Sequence, residues 1–387
     1  MANRLKKLSS GLAAALLLTA CGQSGGSGGE VAAGAPIRIA YMDILQGPNA
    51  TEGGDRGLQL AVEEINAAGG INGHKLEVKS YNTDITPQGA ATATNLALKD
   101  KPTIMIGFGV SAGLKASINA INQAGIPVLH KTLASITSPE SLNSKLTFRI
   151  GPTTDMYAKA GDSHLFDTYS AKKVLVVHTS DAAPTEGAAS IKKDAEAAGV
   201  QVIERSVPPT VTDLTEAVLA AKDVDAVWEW GYATTDALFV KQMQQNGVTK
   251  PINTFSVHSA ARSGLIPQSL LSDKISYVSA CGADALQTPE AVKFRAAFAK
   301  KYGAGATEPF QPSYYDAVYL LKAAVEKAAS TEPAKVATAL ETIEYTGVCG
   351  TFKSDAEHNM LHNVPVVNFP GGQPALTKNY DALESAF

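Results

Sequence analysis

The sequence predicts an α/β protein of two lobes, each built on a parallel sheet with helices on both faces. Three observations carry this. The chain has 387 residues, enough for two to three domains. From residue 36 onward, short apolar runs alternate with amphipathic stretches, the βαβ order that a parallel sheet requires. Past residue 150 that order restarts as a second set. A composition of 45% hydrophobic and 18% charged residues is globular, and excludes a fibrous or wholly disordered chain.

In the first set, residues 37–41 (IRIAY) read as a strand. Residues 54–68 read as a helix with Leu58, Ala61, Val62 and Ile65 on one face, ended by Gly69 and Gly70. Strand 76–81, helix 87–98, strand 103–107 (TIMIG), helix 112–124 and strand 126–129 follow. The second set reads as helix 155–169, strand 173–178 (KVLVVH), helix 185–198, strand 200–205, helix 213–221, strand 224–230 (VDAVWEW), helix 234–245 and strand 252–255. Trp228 and Trp230 share one strand face, the pattern of a core stripe. The last third makes no third set. Its helices at 289–302, 314–329 and 333–343 and its strand at 364–369 are expected to complete the earlier lobes.

The N-terminus has the layout of an export signal. Arg4, Lys6 and Lys7 precede a short apolar run at 12–18, too short to span a bilayer as a mature helix. The run ends in Leu18-Thr19-Ala20-Cys21, which resembles a bacterial lipobox, with Cys21 as the acylated residue. Residues 22–35 follow as a Gly/Ser-rich tether with a reach of roughly 20 Å. The expectation is an exported protein, periplasmic or on the cell surface, held to a bacterial membrane by its lipid. Formal charge is −4, and more acidic once the leader is lost, so nucleic acid is excluded as the main partner. Seven His and three Cys show no metal-site spacing, so neither metal nor cofactor is expected. Past Cys21, Cys281 and Cys349 remain, either bridged as export permits or as two separate thiols.

The segment 60–77 (LAVEEINAAGGINGHKLE) closely resembles the first helix and turn of type I periplasmic solute-binding proteins, in the branched-chain amino acid branch of the ABC importers. Further matches follow in the same order: Pro87-Gln88, Ile106-Gly107 with Ser111, Thr137-Ser138-Pro139, Phe148-Arg149, Gly231-Tyr232, and Tyr314 to Ala317. The resemblance spans nearly the whole mature chain. It implies two Rossmann-like lobes joined by a three-strand hinge, which close on a solute in the cleft between them. It also implies a monomer that delivers the solute to a membrane permease. Lobe 1 is expected over 36–152 plus 283–353, and lobe 2 over 153–282 plus 354–387.

By the same resemblance, Ser111, Ser135 and Thr137 hold the main-chain-like end of the ligand, and Tyr232 lines the second-lobe wall. Ser111 and Thr137 would otherwise read as helix caps. His258 stands where amino-acid binders carry an acid for the ligand ammonium. The loop after KVLVVH reads TSDAAPTEG, with Ala183 or Pro184 at the position of a family tyrosine and one extra residue. Both departures weaken the case for a zwitterion, and leave a carboxylate or an amide open. Glu229 and Asp181 are the acids left to replace the lost charge.

Two other functions fit parts of the sequence. Residues 109–113 (GVSAG) match the G-x-S-x-G elbow of serine hydrolases, with Asp284 and His358 or His362 in suitable chain order. A same-fold lipoprotein that senses or regulates a protein partner is the other. The family match accounts for Ser111 without nucleophilic chemistry, so no enzyme is expected.

Overall fold

The computed structural model describes residues 30–46, 54–303 and 310–381. The expected leader, Cys21 and most of the tether lie outside them, as does the end of lobe 2 past 381. The first sheet holds β1 (Ile37–Asp43), β2 (Leu76–Asn82), β3 (Ile104–Gly107), β4 (Val128–His130) and β5 (Thr147–Arg149), all parallel, in the order β2-β1-β3-β4-β5. Its helices are α1 (Arg56–Ala67), α2 (Pro87–Lys99), α3 (Ser111–Ala124) and α4 (Pro139–Leu142). Thr86 caps α2 by accepting from the Gly89 N–H, with Pro87 pre-set at the first helical position. Gly125, in the left-handed region at φ 69°, ends α3.

The second sheet contains β6 (Lys173–Thr179), β7 (Gln201–Val207), β8 (Ala226–Trp230), β9 (Ile252–Thr254) and β10 (Ile275–Val278) in the parallel order β7-β6-β8-β9-β10. That is the topology of the first sheet repeated. Two antiparallel strands, β13 (Asn363–Asn368) and β14 (Ala375–Asp381), extend it beyond β10. α5 (Thr154–Ser163), α6 (Ala182–Ala197), α7 (Thr215–Ala220), α8 (Ala233–Gln245) and α9 (Val257–Arg262) cover its faces. Alternate residues go to opposite cores: Leu175 and Val177 pack on one face, Val174, Val176, Trp228 and Trp230 on the other.

The C-terminal helices α10 (Pro289–Tyr302), α11 (Phe310–Ala328) and α12 (Pro333–Glu341) return to the first lobe. Phe294, Tyr314, Leu321 and Leu340 join the core that holds Ile37, Ile39 and Tyr41. A small hairpin, β11 (Glu344–Thr346) with β12 (Thr351–Lys353), lies on this side too.

The chain passes between lobes three times: after β5, after β10, and after the hairpin. In the second passage Ala280 packs in the second lobe and Cys281 in the first. Cys281 is disulfide-bonded to Cys349, with Cα atoms 4.4 Å apart. The third passage lies beyond the 353/354 boundary read from sequence. Phe352 pairs with Leu361, and Met360 and Leu361 remain in the first-lobe core; Val364 is the first residue in the second-lobe core. The stretch between carries His, Asn and Asp in turns, with no periodicity to reveal that it stays docked.

Candidate functional site

In each parallel sheet the chain winds outward in opposite directions from two adjacent strands, β1/β3 in one and β6/β8 in the other. The loops leaving such a pair diverge and open a crevice at the carboxyl end of the sheet. Ser111 follows β3 as the first residue of α3, and Tyr232 follows β8 just before α8. The Ala134 N–H donates to Ser111 Oγ at 3.3 Å, which leaves the Ser111 O–H to donate elsewhere.

The loop after β4 is shaped from within. His130 Nδ1, Thr132 Oγ1, Thr137 Oγ1 and the Ala134 carbonyl form a chain of contacts of 2.8, 2.9 and 2.8 Å. Burial, with Arg149 nearby, drives the His130 pKa well down, so the ring is neutral; because the Thr132 O–H goes to Thr137, His130 Nδ1–H donates to Thr132 Oγ1. Buried Arg149, on β5, donates to Leu133 O at 3.0 Å, Ala134 O at 3.4 Å and Thr137 Oγ1 at 3.1 Å. Thr137 is therefore buried and its hydroxyl saturated. It does not cap α4, which Ser138 does, and its hydroxyl braces the loop. Ser135 is exposed.

Sequence reasoning passed over a buried ion pair beside this loop. The Asp43 carboxylate, at the end of β1, accepts from Lys131 Nζ at 2.9 Å, Tyr314 O–H at 2.7 Å, Tyr41 O–H at 2.9 Å and the Ile44 N–H at 2.9 Å. Burial pushes its pKa up, but Lys131 and these bonds outweigh burial and hold it below the ordinary value. Lys131 also lies over the rings of Phe310 and Tyr314, at 4.2 and 4.9 Å. A Cβ on Gly109 would come within 3.0 Å of Asp43 Oδ1, so the β3–α3 loop rests directly on the pair.

Across the cleft, Tyr232 is 44% exposed. Burial of its phenol and the neighbouring Asp181 push the Tyr232 pKa up to about 12. Asp181 precedes α6 at the end of the β6 loop, and its Oδ2 has no hydrogen-bond partner among the described residues. Glu229 is buried on β8 beneath Gly231; among the described residues neither of its oxygens has a hydrogen-bond partner, and burial and then the charge of buried Asp236 on α8 raise its pKa. Of the two acids that sequence left open, Asp181 is the one beside Tyr232. His258, on α9, packs its ring on Tyr277 at 4.7 Å and contacts Ser259 Oγ through Nε2 at 2.9 Å. Burial, aided by Arg262, lowers its pKa to about 3, so it is a neutral ring with only Nδ1 unpartnered among the described residues.

Among the described residues, one contact between the two sides was not indicated by sequence. The Ser135 N–H donates to both carboxylate oxygens of Glu186, at 3.0 and 3.1 Å, and the Ser135 O–H donates to Oε2 at 2.9 Å. Glu186 lies in α6, at the start of the second lobe's helical layer. The available signal was the TSDAAPTEG loop, which departs from the family pattern it resembles and carries Glu186 just before Gly187.

The hydrolase constellation is not assembled. His358 stacks on Phe148 at 4.6 Å and bonds Thr147 O, His362 pairs with Asp355, and Asp284 pairs with Arg262. In a nucleophile elbow the serine itself is strained. Here positive φ falls on Gly107 and Phe108, at 132° and 59°, and Ser111 begins an ordinary helix. Among the described residues no group of three or more metal-ligating side chains occurs, and no helix is long and apolar enough to cross a membrane.

Two lobes of one topology, crossed three times by the chain and meeting at their carboxyl-end loops, define a two-lobed binding protein of type I architecture. The chain belongs to the periplasmic binding protein family, whose profile matches residues 36–373. It is 24% identical over 340 residues to the leucine-, isoleucine-, valine-, threonine-, and alanine-binding protein of Pseudomonas aeruginosa, covering 84% of this chain and 87% of that one. Among solved structures it resembles the branched-chain amino acid transporter substrate-binding protein LivJ of Streptococcus pneumoniae in complex with isoleucine, at 23% identity and TM-score 0.76, over 89% of this chain and 99% of that one. An R. palustris ABC transporter solute-binding protein in complex with benzoate matches at 20% identity and TM-score 0.75, over 89% and 96%. At these identities the structures speak to fold.

Proposed function

We propose that this protein is an extracytoplasmic solute-binding lipoprotein that takes a small polar solute, an amino acid or a related carboxylate or amide, between its lobes and passes it to an ABC import permease. The observation that carries this is the juxtaposition of the two carboxyl-end loop clusters, fixed by the Ser135–Glu186 contact. Ser111 and the Ser135 region supply hydroxyl and N–H donors for the oxygen-bearing end of a solute, with Arg149 behind them. Tyr232 and Asp181 supply a phenol and a carboxylate for a donor-bearing end, and His258 contributes one neutral nitrogen. A relative named for leucine, isoleucine, valine, threonine and alanine falls in this class. Ligand that touches both lobes only when they are closed favours that state by its differential affinity.

Calorimetry against amino acids, matching carboxylates and amides tests the reading. One class is expected to bind, and Ser111→Ala to weaken it by about 0.5–3 kcal/mol, depending on ligand charge. Covalent labelling of Ser111 by a fluorophosphonate would instead support hydrolysis. Anchoring rests on the LTAC motif and the glycine-rich tether. Fatty-acid labelling of whole cells is expected to mark the wild type and to be lost in Cys21→Ser; equal labelling of both would remove the lipoprotein assignment.

A further inference from the structure

Glu186 is an unusual occupant for the place it holds. Its carboxylate takes the Ser135 N–H with both oxygens and the Ser135 O–H with one, the donor set on which the proposed solute site depends. Ser135 follows Ala134, whose carbonyl is gripped by Arg149 and Thr137, so these donors are fixed in direction before any ligand arrives. Arg149 supplies the field as well. It is buried, its guanidinium faces carbonyl oxygens and a hydroxyl rather than an acid, and the attraction of Glu186 is the first of the nearby charges that favour its charged form. A rigid pair of donors backed by a buried cation is a place for a carboxylate. In this structure the carboxylate comes from the opposite lobe.

We propose that Glu186 is a specificity-determining residue that competes with the ligand: a solute carboxylate seats at Ser135 only by displacing the Glu186 side chain, whereas a neutral solute can bind with the Ser135–Glu186 contact intact. The inference rests on the reading of Ser135 as part of the solute site. Two carboxylates cannot share one N–H and one O–H, and a displaced Glu186 remains at the rim as a like charge beside the newcomer. Glu186 thus selects against monocarboxylates that lack a compensating cationic group, and removing it relaxes that selection.

The test is calorimetry on the full mature protein and on Glu186→Ala and Glu186→Gln, with L-leucine, 4-methylpentanoate and 4-methylpentanamide as probes. Melting curves establish that both variants are folded. Glu186→Ala is expected to bind 4-methylpentanoate at least about fivefold more tightly than wild type, with a smaller gain for leucine and the amide unchanged within about twofold. Glu186→Gln, which keeps an acceptor but loses the charge, is expected to fall between. Unchanged or weaker carboxylate binding in Glu186→Ala overturns the proposal, and a parallel weakening of all three probes would make Glu186 a simple closing latch. If neither wild type nor variants bind any probe, the solute class itself is wrong and the proposal falls with it. That outcome is distinct from binding without discrimination.

Discussion

Residues with a strong chemical label sit where their surroundings change what the label means. His258 and Thr137 stand in the sequence as candidate ligand contacts; in the fold His258 is a neutral ring packed on Tyr277, and the Thr137 hydroxyl is already engaged within its loop. Glu229 and Asp236 show the same effect with a measurable consequence. Burial, and then the charge of Asp236, drive the Glu229 pKa well above its ordinary value, and burial also raises Asp236. The native pair therefore keeps a proton that the unfolded chain has already released. Between the ordinary carboxylate range and the raised values, the native state binds more protons, so stability falls as pH rises through that interval. Glu229→Gln retains the shape and removes the ionisation. Its melting temperature is expected to drop less than that of wild type between about pH 5 and about pH 8. Identical drops by scanning calorimetry would show that this pair does not titrate there.

At the scale of elements, what was legible followed from periodicity and turn chemistry. The buried runs IRIAY, TIMIG, KVLVVH and VDAVWEW all lie on the central strands β1, β3, β6 and β8, which are covered on both faces and so need continuous apolar sequence. α2 and α10 begin at Thr-Pro, where a hydroxyl cap and a fixed φ coincide. The strands that escaped are short or sit at an edge. β5 is three residues, β10 is four, and β14 is mostly exposed, with its polar residues facing solvent. What sequence could place of the candidate site is where it follows a central strand, as Ser111 follows β3 and Tyr232 follows β8. It was not legible where a contact joins elements far apart in sequence, as in Asp43–Lys131–Tyr314 and Ser135–Glu186. No local pattern encodes such pairs; only the crossing topology brings them together.

The whole molecule turns on the three passages between lobes, and Gly282 lies in one of them under two constraints. Its φ of 63° is in the left-handed region, and a Cβ there would come within 2.8 Å of Cβ of Pro365, in the strand that continues the third passage. It also follows Cys281, which the disulfide to Cys349 ties to the first lobe, and its N–H donates to Ser279 Oγ at 2.7 Å. The second and third passages therefore pack on each other with no room for a side chain, and the prediction is that the angle between the lobes depends on that contact. An alanine must either hold a strained φ, at about 1–3 kcal/mol, or push Pro365 away and change how the passages sit. Each lobe keeps its own core, because the substitution touches neither β1 nor β6. Gly282→Ala is therefore expected to lower melting temperature modestly, weaken solute binding, and shift the unliganded radius of gyration in small-angle scattering. Ser111→Ala, which removes a hydroxyl at the start of α3 and leaves the passages untouched, should weaken binding without that shift. If Gly282→Ala binds and scatters as wild type does, the passages are not what sets the lobe angle, and control of closure must lie in the cleft contacts themselves.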